Sequence, residues 1–329
     1  MKEIDEDQYN VAHPLARRWL AVRHGTRWSD TTIAAYSSYA RNFLAHLEEY
    51  EENLLTTDIE VVINFIEHLV RMGRAESTVT GYHSTIADLY RFIHVRTDND
   101  PVLDPYSLKE IDVKSYSYQQ GFERDALTRK EVKNLLNNFE NERGRVMTYL
   151  AVCTGIRNRE VRNIKLDDIN YGELMLHISN AKGGKSYDVP LPRSVSRQLI
   201  QWENVTRKSY HDHKSNEYMF PSRMGGKLKV HKPFCESVKA AAERAGIQKV
   251  IGETKYYDVT RKKEIHRKFY RVTPHALRHT YITLLKKADA PDEARQKAVN
   301  HSSIEMTRNY EHVDENHDEL IRSAFNSGF

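Results

Sequence analysis

Ile33, Tyr36, Tyr39, Ala40, Phe43, Leu44 and Leu47 recur at spacings of three and four residues or their sums, and Val61, Val62, Phe65, Ile66 and Leu69 repeat the pattern. Only an α-helix gathers such a series on one face, so this part of the chain is expected to bury a shared helical core. Ser29 and Asp30 stand before the first run as capping residues, and Thr57 and Asp58 before the second. Ser77 and Thr78 precede a third run, from Val79 to about Ile93. These signals imply a bundle of about four helices.

The period then stops. Residues 97–126 hold two prolines and many polar side chains without a sustained repeat, which marks a domain boundary near 110–120. We expect a helical domain over 1–110, a linker over 111–125 and a second domain over 126–329. In that second part Thr128 and Glu131 have capping-box spacing, with helical periodicity through Val132, Leu135 and Leu136 and again from Val146 to Cys153. Leu174–Ser179 and Tyr187–Leu191 alternate and flank the glycine-bearing turn Asn180–Lys185, the pattern of a β-hairpin. Helices are expected at about 193–204 and 232–245. Residues 249–271 carry eight Lys+Arg against three Asp+Glu with interleaved Tyr and Phe, and read as a second, basic hairpin. Thr273 and Pro274 then open a helix, and Leu320, Ile321, Ala324 and Phe325 mark another at the end. The expected fold is mainly α with small β-sheet elements, a helical domain followed by a mixed α+β domain.

Composition narrows the function. No stretch approaches the roughly 20 apolar residues that cross a bilayer, and the first ten residues lack the apolar core of a secretory signal. A cytoplasmic protein is expected. Cys153 and Cys235 lie far apart, which argues against a disulfide scaffold and against a cysteine-based zinc finger. The net charge of +4 divides unevenly, with −7 over residues 1–110 and +11 over 111–329. A basic second half suits a polyanionic partner such as nucleic acid.

Four segments of that half could carry chemistry. In Thr154-Gly155-Ile156-Arg157-Asn158-Arg159-Glu160, Arg157 and Glu160 are three apart, so the carboxylate can fix the guanidinium while its fork stays open to an anion. Taken alone, this is also the spacing of an ordinary surface ion pair. His275-Ala276-Leu277-Arg278-His279 follows the Thr-Pro cap, where free N–H groups and the positive dipole end favour a phosphate. In Asn300-His301-Ser302-Ser303-Ile304-Glu305, Ser302 and Glu305 predict a short helix separating His301 from Tyr310, so that both can face one pocket. In the first hairpin, Lys182 sits beside two glycines, where a long amine can reach a leaving group. Each of the last two also reads as routine, a packed tyrosine and a solvated turn lysine.

Together, in this order, the four segments resemble the tyrosine recombinase (integrase) family. Its signature is an Arg, a Lys, His-x-x-Arg, a His or Trp, and a Tyr nine residues beyond. Arg157, Lys182, His275, Arg278, His301 and Tyr310 fill every position, over roughly residues 120–315. Two departures stand out. Val299-Asn300 replaces the common Leu-Gly before the last His, and Lys185 shares the hairpin with Lys182, which matches the family position better. The basic stretch 249–271 is longer than in compact Xer-type members and resembles insertions in archaeal integrases.

The resemblance implies a site-specific DNA recombinase working through a 3′-phosphotyrosine intermediate. Tyr310 would be the nucleophile, Arg157 and Arg278 the phosphate clamp, His275 the proton acceptor, and Lys182 the donor to the departing 5′-oxygen. His301 would bond a nonbridging oxygen, with Glu160 and His279 in support. It implies no cofactor and no metal, and the chain shows no phosphate-binding loop or clustered carboxylates. The partner would be double-stranded DNA, held by Arg17, Arg41, Lys185, Lys262, Lys263 and Arg267 among others. A homo-tetramer would form on paired sites, from a chain that could be monomeric in solution, associated with the nucleoid. Binding requires Arg17, Arg18, Arg23, Arg27, Arg41, Arg71, Arg74 and Arg91 to be partly gathered on one face. The tail helix would dock either on its own domain or on a neighbouring protomer. Integration and excision of a mobile element is the leading role, with Xer-like dimer resolution and non-enzymatic DNA binding as alternatives; a type IB topoisomerase fits the two-domain layout less well.

Overall fold

The structure is a computed structural model that describes residue 9 and residues 11–26, 28–96, 103–118, 122, 124–179, 186–258, 263–288, 315–326, 328 and 329. By its internal contacts the chain forms two compact units, one of Met1–Phe122 with Gly252–Lys268, the other of Glu123–Ile251 with Phe269–Phe329.

The first unit contains α1 (Pro14–His24), α2 (Asp30–Glu49), α3 (Ile59–Arg71) and α4 (Glu76–Arg96). Ser29 caps α2 by accepting from the Thr32 N–H, and Asp58 caps α3 by accepting from Val61. The third start lies slightly earlier than the sequence implied, at Glu76. The periodic residues meet as expected, with Phe43, Leu47, Phe65 and Ile66 almost wholly buried beside Trp19, Leu20 and Tyr90. One polar knot crosses this core: Asp88 accepts from the indole of Trp19 and, through both oxygens, from Arg23. Arg23 is therefore committed internally.

Part of the segment read as a polar linker packs differently. Leu103, Leu108, Ile111 and Val113 are buried in the first unit's core, carried by two short 3-10 turns at Ser107–Glu110 and Val113–Ser115. Aperiodic apolar residues can seal a core through tight turns even where they cannot form a helix face.

The second unit is built around α6 (Glu142–Thr154), whose residues Val146–Thr154 are all buried. Around it lie α5 (Arg129–Asn137), α8 (Arg193–Gln201), α9 (Lys232–Arg244) and α10 (Pro274–Lys287). The Thr128 capping box is present, and Glu131 also accepts from Arg271 at 2.6 Å. The Arg271 bond, reinforced by the cap, holds the Glu131 carboxyl down at about 2. Strands β1 (Ile169–Asn170), β2 (Met175–Ile178) and β3 (Tyr187–Pro190) form an antiparallel sheet in that order, with Ile178 opposite Tyr187 at the hairpin's turn end. The second hairpin is also present, as β4 (Val250–Asp258) paired with β5 (Lys263–Tyr270). Its Tyr256 ring lies 3.7 Å beneath the guanidinium of Arg74, within the first unit.

A tail helix, Glu315–Asn326, rests on its own domain. Ile321 and Phe325 are buried, Phe325 stacks on Tyr281 at 5.3 Å, and Arg129 donates to the Ala324 carbonyl at 2.6 Å. Of the two dockings expected for this segment, the single chain adopts the one within itself. No helix among the described residues is long and apolar enough to cross a membrane.

Candidate active site

The site begins where α6 ends. Gly155 stops that helix in the left-handed conformation, at φ 66°, and Arg157, two residues on, becomes the N-cap of α7 (Asn158–Asn163). Glycine is needed twice over here. A side chain would be strained by the positive φ, and a Cβ would lie 2.2 Å from the ring of Tyr281. The expected pairing of Arg157 with Glu160 is present and richer than spacing implied. One carboxylate oxygen accepts from the Arg157 backbone N–H at 2.6 Å, and the other meets its guanidinium at 3.0 Å. Glu160 is 5% exposed while the Arg157 side chain is 34% exposed, so the brace is buried and the charge it braces is reachable.

Arg278 arrives from a segment 123 residues beyond Gly155 and donates to that glycine's carbonyl. It is buried in the first part of α10, whose start is set by the Thr273 cap accepting from Ala276. Burial, with Arg157 close by, lowers its pKa from the ordinary arginine value. Two guanidiniums forced together in a partly dry site repel, and an anion between them removes that cost.

His275 stands exposed one turn before Arg278, with His279 exposed beyond it. Partial desolvation, then the nearby guanidiniums of Arg124 and Arg278, the neighbouring His279 and the Arg157 guanidinium, push the His275 pKa below its ordinary value. The ring is thus held neutral near pH 7 and able to accept a proton. Arg124, which donates to the Tyr270 carbonyl at 3.1 Å, supplies part of this field and carries no sequence signal of its own.

Tyr187 is the other residue that sequence reasoning missed. From the first position of β3 its hydroxyl donates to Glu160 at 3.0 Å, tying the β2–β3 hairpin to the Arg157 turn. The sequence marked it only as the first residue of an alternating stretch. Its pKa is pushed well up by burial and by the Glu160 charge, which keeps the phenol protonated.

Arg157, Glu160, Arg278 and His275 are thus brought together. Lys182, Lys185, Lys262, His301 and Tyr310 lie outside the described residues, as does the short helix expected after Ser302. Among the proposed DNA contacts, Lys263 and Arg267 are exposed on β5, while Arg17 and Arg41 are half-buried on α1 and α2. No cluster of potential metal ligands occurs among the described residues.

Comparison with known proteins gives the family. Residues 125–317 match the phage integrase family, and residues 17–96 match the phage integrase N-terminal SAM-like domain. The curated relatives include tyrosine recombinase XerA of Pyrococcus furiosus, 25% identical over 295 residues that cover 78% of this chain and 91% of the relative. Tyrosine recombinase XerD of Staphylococcus epidermidis is 26% identical over 287 residues, covering 87% of this chain and 88% of the relative. Among solved structures, a lambda integrase dimer bound to a COC′ core site superposes with a TM-score of 0.64 at 16% identity, covering 92% of this chain and 99% of that one. XerH recombinase bound to its difH substrate gives 0.61 at 18% identity, covering 98% of this chain and 96% of that one. The family match makes this a DNA strand-breaking and rejoining enzyme. The chain belongs to the phage integrase family, the tyrosine recombinases, which carry out site-specific recombination.

Proposed function

We propose that this chain integrates and excises a mobile element by breaking DNA through Tyr310. The observation that carries the reading is the convergence of Arg157 and Arg278 on the two sides of the Gly155 turn, beside a histidine held neutral.

A phosphodiester is anionic and resists attack, so its transition state needs donors aimed at the oxygens that gain charge. Arg157 and Arg278 take that role, and losing one such donor costs about 2.7–4 kcal/mol of barrier. A phenol of ordinary pKa about 10 is mostly protonated at pH 7 and needs an acceptor. His275 takes the Tyr310 proton, Lys182 or its neighbour Lys185 protonates the departing 5′-oxygen, and His301 bonds a nonbridging oxygen. Glu160 and His279 support the clamp. The phosphotyrosine bond conserves the phosphodiester energy, so a 5′-hydroxyl of another strand can attack it and rejoin DNA without a nucleotide cofactor or a metal.

Double-stranded DNA is the partner, gripped through Lys and Arg contacts to phosphates that weaken steeply with salt. Arg17, Arg41, Lys262, Lys263 and Arg267 are the proposed contacts, and the expected arginine face of the first unit operates without Arg23. The working assembly is a homo-tetramer on paired sites, which requires the tail helix to leave its own domain or another surface to join protomers. Cytoplasmic, nucleoid-associated placement goes with that substrate. Similarity to relatives named XerA and XerD supports a second reading, dimer resolution, with the same chemistry on different DNA.

The test is a suicide duplex, nicked so that cleavage cannot reverse, incubated with wild type and with Tyr310→Phe. A denaturation-resistant adduct from wild type alone supports the reading. An adduct that persists in the variant rejects the nucleophile, and none from wild type on DNA selected for binding favours a non-enzymatic binder.

A further inference from the structure

We propose that Tyr187 is a positioning residue for strand cleavage, holding the Glu160 carboxylate in the orientation that aims Arg157. The inference rests on reading Arg157 as part of the phosphate clamp. Glu160 receives three donors, and two of them, the backbone N–H and the guanidinium, belong to Arg157 itself. A carboxylate held only by the residue it orients can move with that residue, so these two bonds fix the pair internally without fixing it in the domain. The third donor, the Tyr187 hydroxyl, comes from outside the α7 turn, on a strand paired through Leu176↔Val189 and Ile178↔Tyr187. It supplies the external reference. Both Leu176 and Val189 are buried, so the strand that carries Tyr187 is anchored in the core and does not follow Arg157.

The same geometry separates Tyr187 from a nucleophile. Its hydroxyl donates a hydrogen bond to the buried Glu160 carboxyl, and that bond opposes loss of the phenol proton. Tyr187 therefore acts on the brace and is not itself the nucleophile.

The experiment uses the full chain as wild type, Tyr187→Phe, Glu160→Gln, the double variant and Arg157→Ala. The probe is a suicide duplex recovered from a random-sequence pool by covalent capture on wild type, prepared with either a phosphodiester or a methylphosphonate at the scissile position. The methylphosphonate lacks the negative charge that the clamp neutralises, so a loss that acts through Arg157 shrinks on it. Removing one hydrogen bond to a buried charge predicts that Tyr187→Phe lowers the single-turnover rate on phosphodiester about tenfold. Duplex affinity stays at the wild-type value with all rates read well below each variant's melting temperature, no further loss appears in the Glu160→Gln background, and the loss shrinks on methylphosphonate together with that of Arg157→Ala.

A full rate for Tyr187→Phe overturns the proposal, as do losses that multiply with Glu160→Gln. Weakened DNA binding also overturns it, because the tyrosine would then serve duplex recognition and not the aim of Arg157. A Tyr187→Phe loss undiminished on methylphosphonate, while that of Arg157→Ala shrinks, overturns it and leaves the clamp standing. If the Arg157→Ala loss fails to shrink, or wild type captures no DNA, the reading beneath the proposal fails and the proposal falls with it.

Discussion

Replacing Gly155 by alanine loads the joint between the two arginine-bearing segments. At φ 66° a residue with a Cβ gives up about 1–2 kcal/mol to the left-handed conformation. The new methyl would lie 2.2 Å from Cδ1 and 2.6 Å from Cε1 of Tyr281, well inside van der Waals contact. Tyr281 cannot swing aside freely, since it is fully buried and stacked on Phe325, so the second contribution is that of an overpacked core, about 1–3 kcal/mol. The expected destabilisation of the second unit is therefore about 2–5 kcal/mol, read in thermal unfolding as a fall of roughly 5–15 °C. The Gly155 carbonyl also receives Arg278, so cleavage should slow even at temperatures where the variant is folded. In the double variant Gly155→Ala/Tyr281→Leu the clash is relieved and the two losses should sum to less than their separate values. A Gly155→Ala protein within about 0.5 kcal/mol of wild type would refute the reasoning, because that is the range of surface substitutions free of such contacts.

Other consequences follow from single contacts. His46, buried beside Phe65 and His68, has its pKa lowered from 6.5 to about 4 by burial and by the facing His68. The unfolded chain takes up that proton first, so the helical unit should lose stability as pH falls from 6.5 to about 4, by at most about 3 kcal/mol. Denaturant melts at pH 7 and 4.5 should show this slope reduced in His46→Phe, and an equal slope in the variant would contradict it. With the His275 pKa held below its ordinary 6.5, the cleavage rate should show no acid limb until below pH 6.5; a limb centred above that value would contradict an imidazole kept neutral by burial and cations. Phe325→Ala should cost about 3–5 kcal/mol in thermal unfolding if the tail helix rests on its own domain, and a cost under 1 kcal/mol would place that helix elsewhere.

Much of this was legible in the chain because it is local. Caps at Ser29, Asp58, Thr128 and Thr273, the alternation at Leu174–Ser179 and Tyr187–Leu191, and the basic hairpin all depend on neighbours within a turn or a strand, and all are found. Arg157 with Glu160 was readable for the same reason. What spacing cannot carry is a contact made across the fold. Tyr187 looked like an ordinary strand residue, Arg124 sat in an aperiodic stretch, and Leu108 and Val113 hid core positions inside what read as a linker. The role of Gly155 was half visible: a helix-ending glycine is a local sign, whereas the Tyr281 ring that forbids a side chain there comes from another helix.

The most direct measurement is a structure of the chain on cleavable duplex, captured with Tyr310→Phe to hold the uncut state. The account expects Arg157 and Arg278 to donate to nonbridging oxygens of one and the same phosphate, with residue 310 facing its phosphorus in line with the 5′-oxygen and His275 beside it. Guanidiniums bound to separate phosphates, or a residue 310 directed away from both, would contradict it.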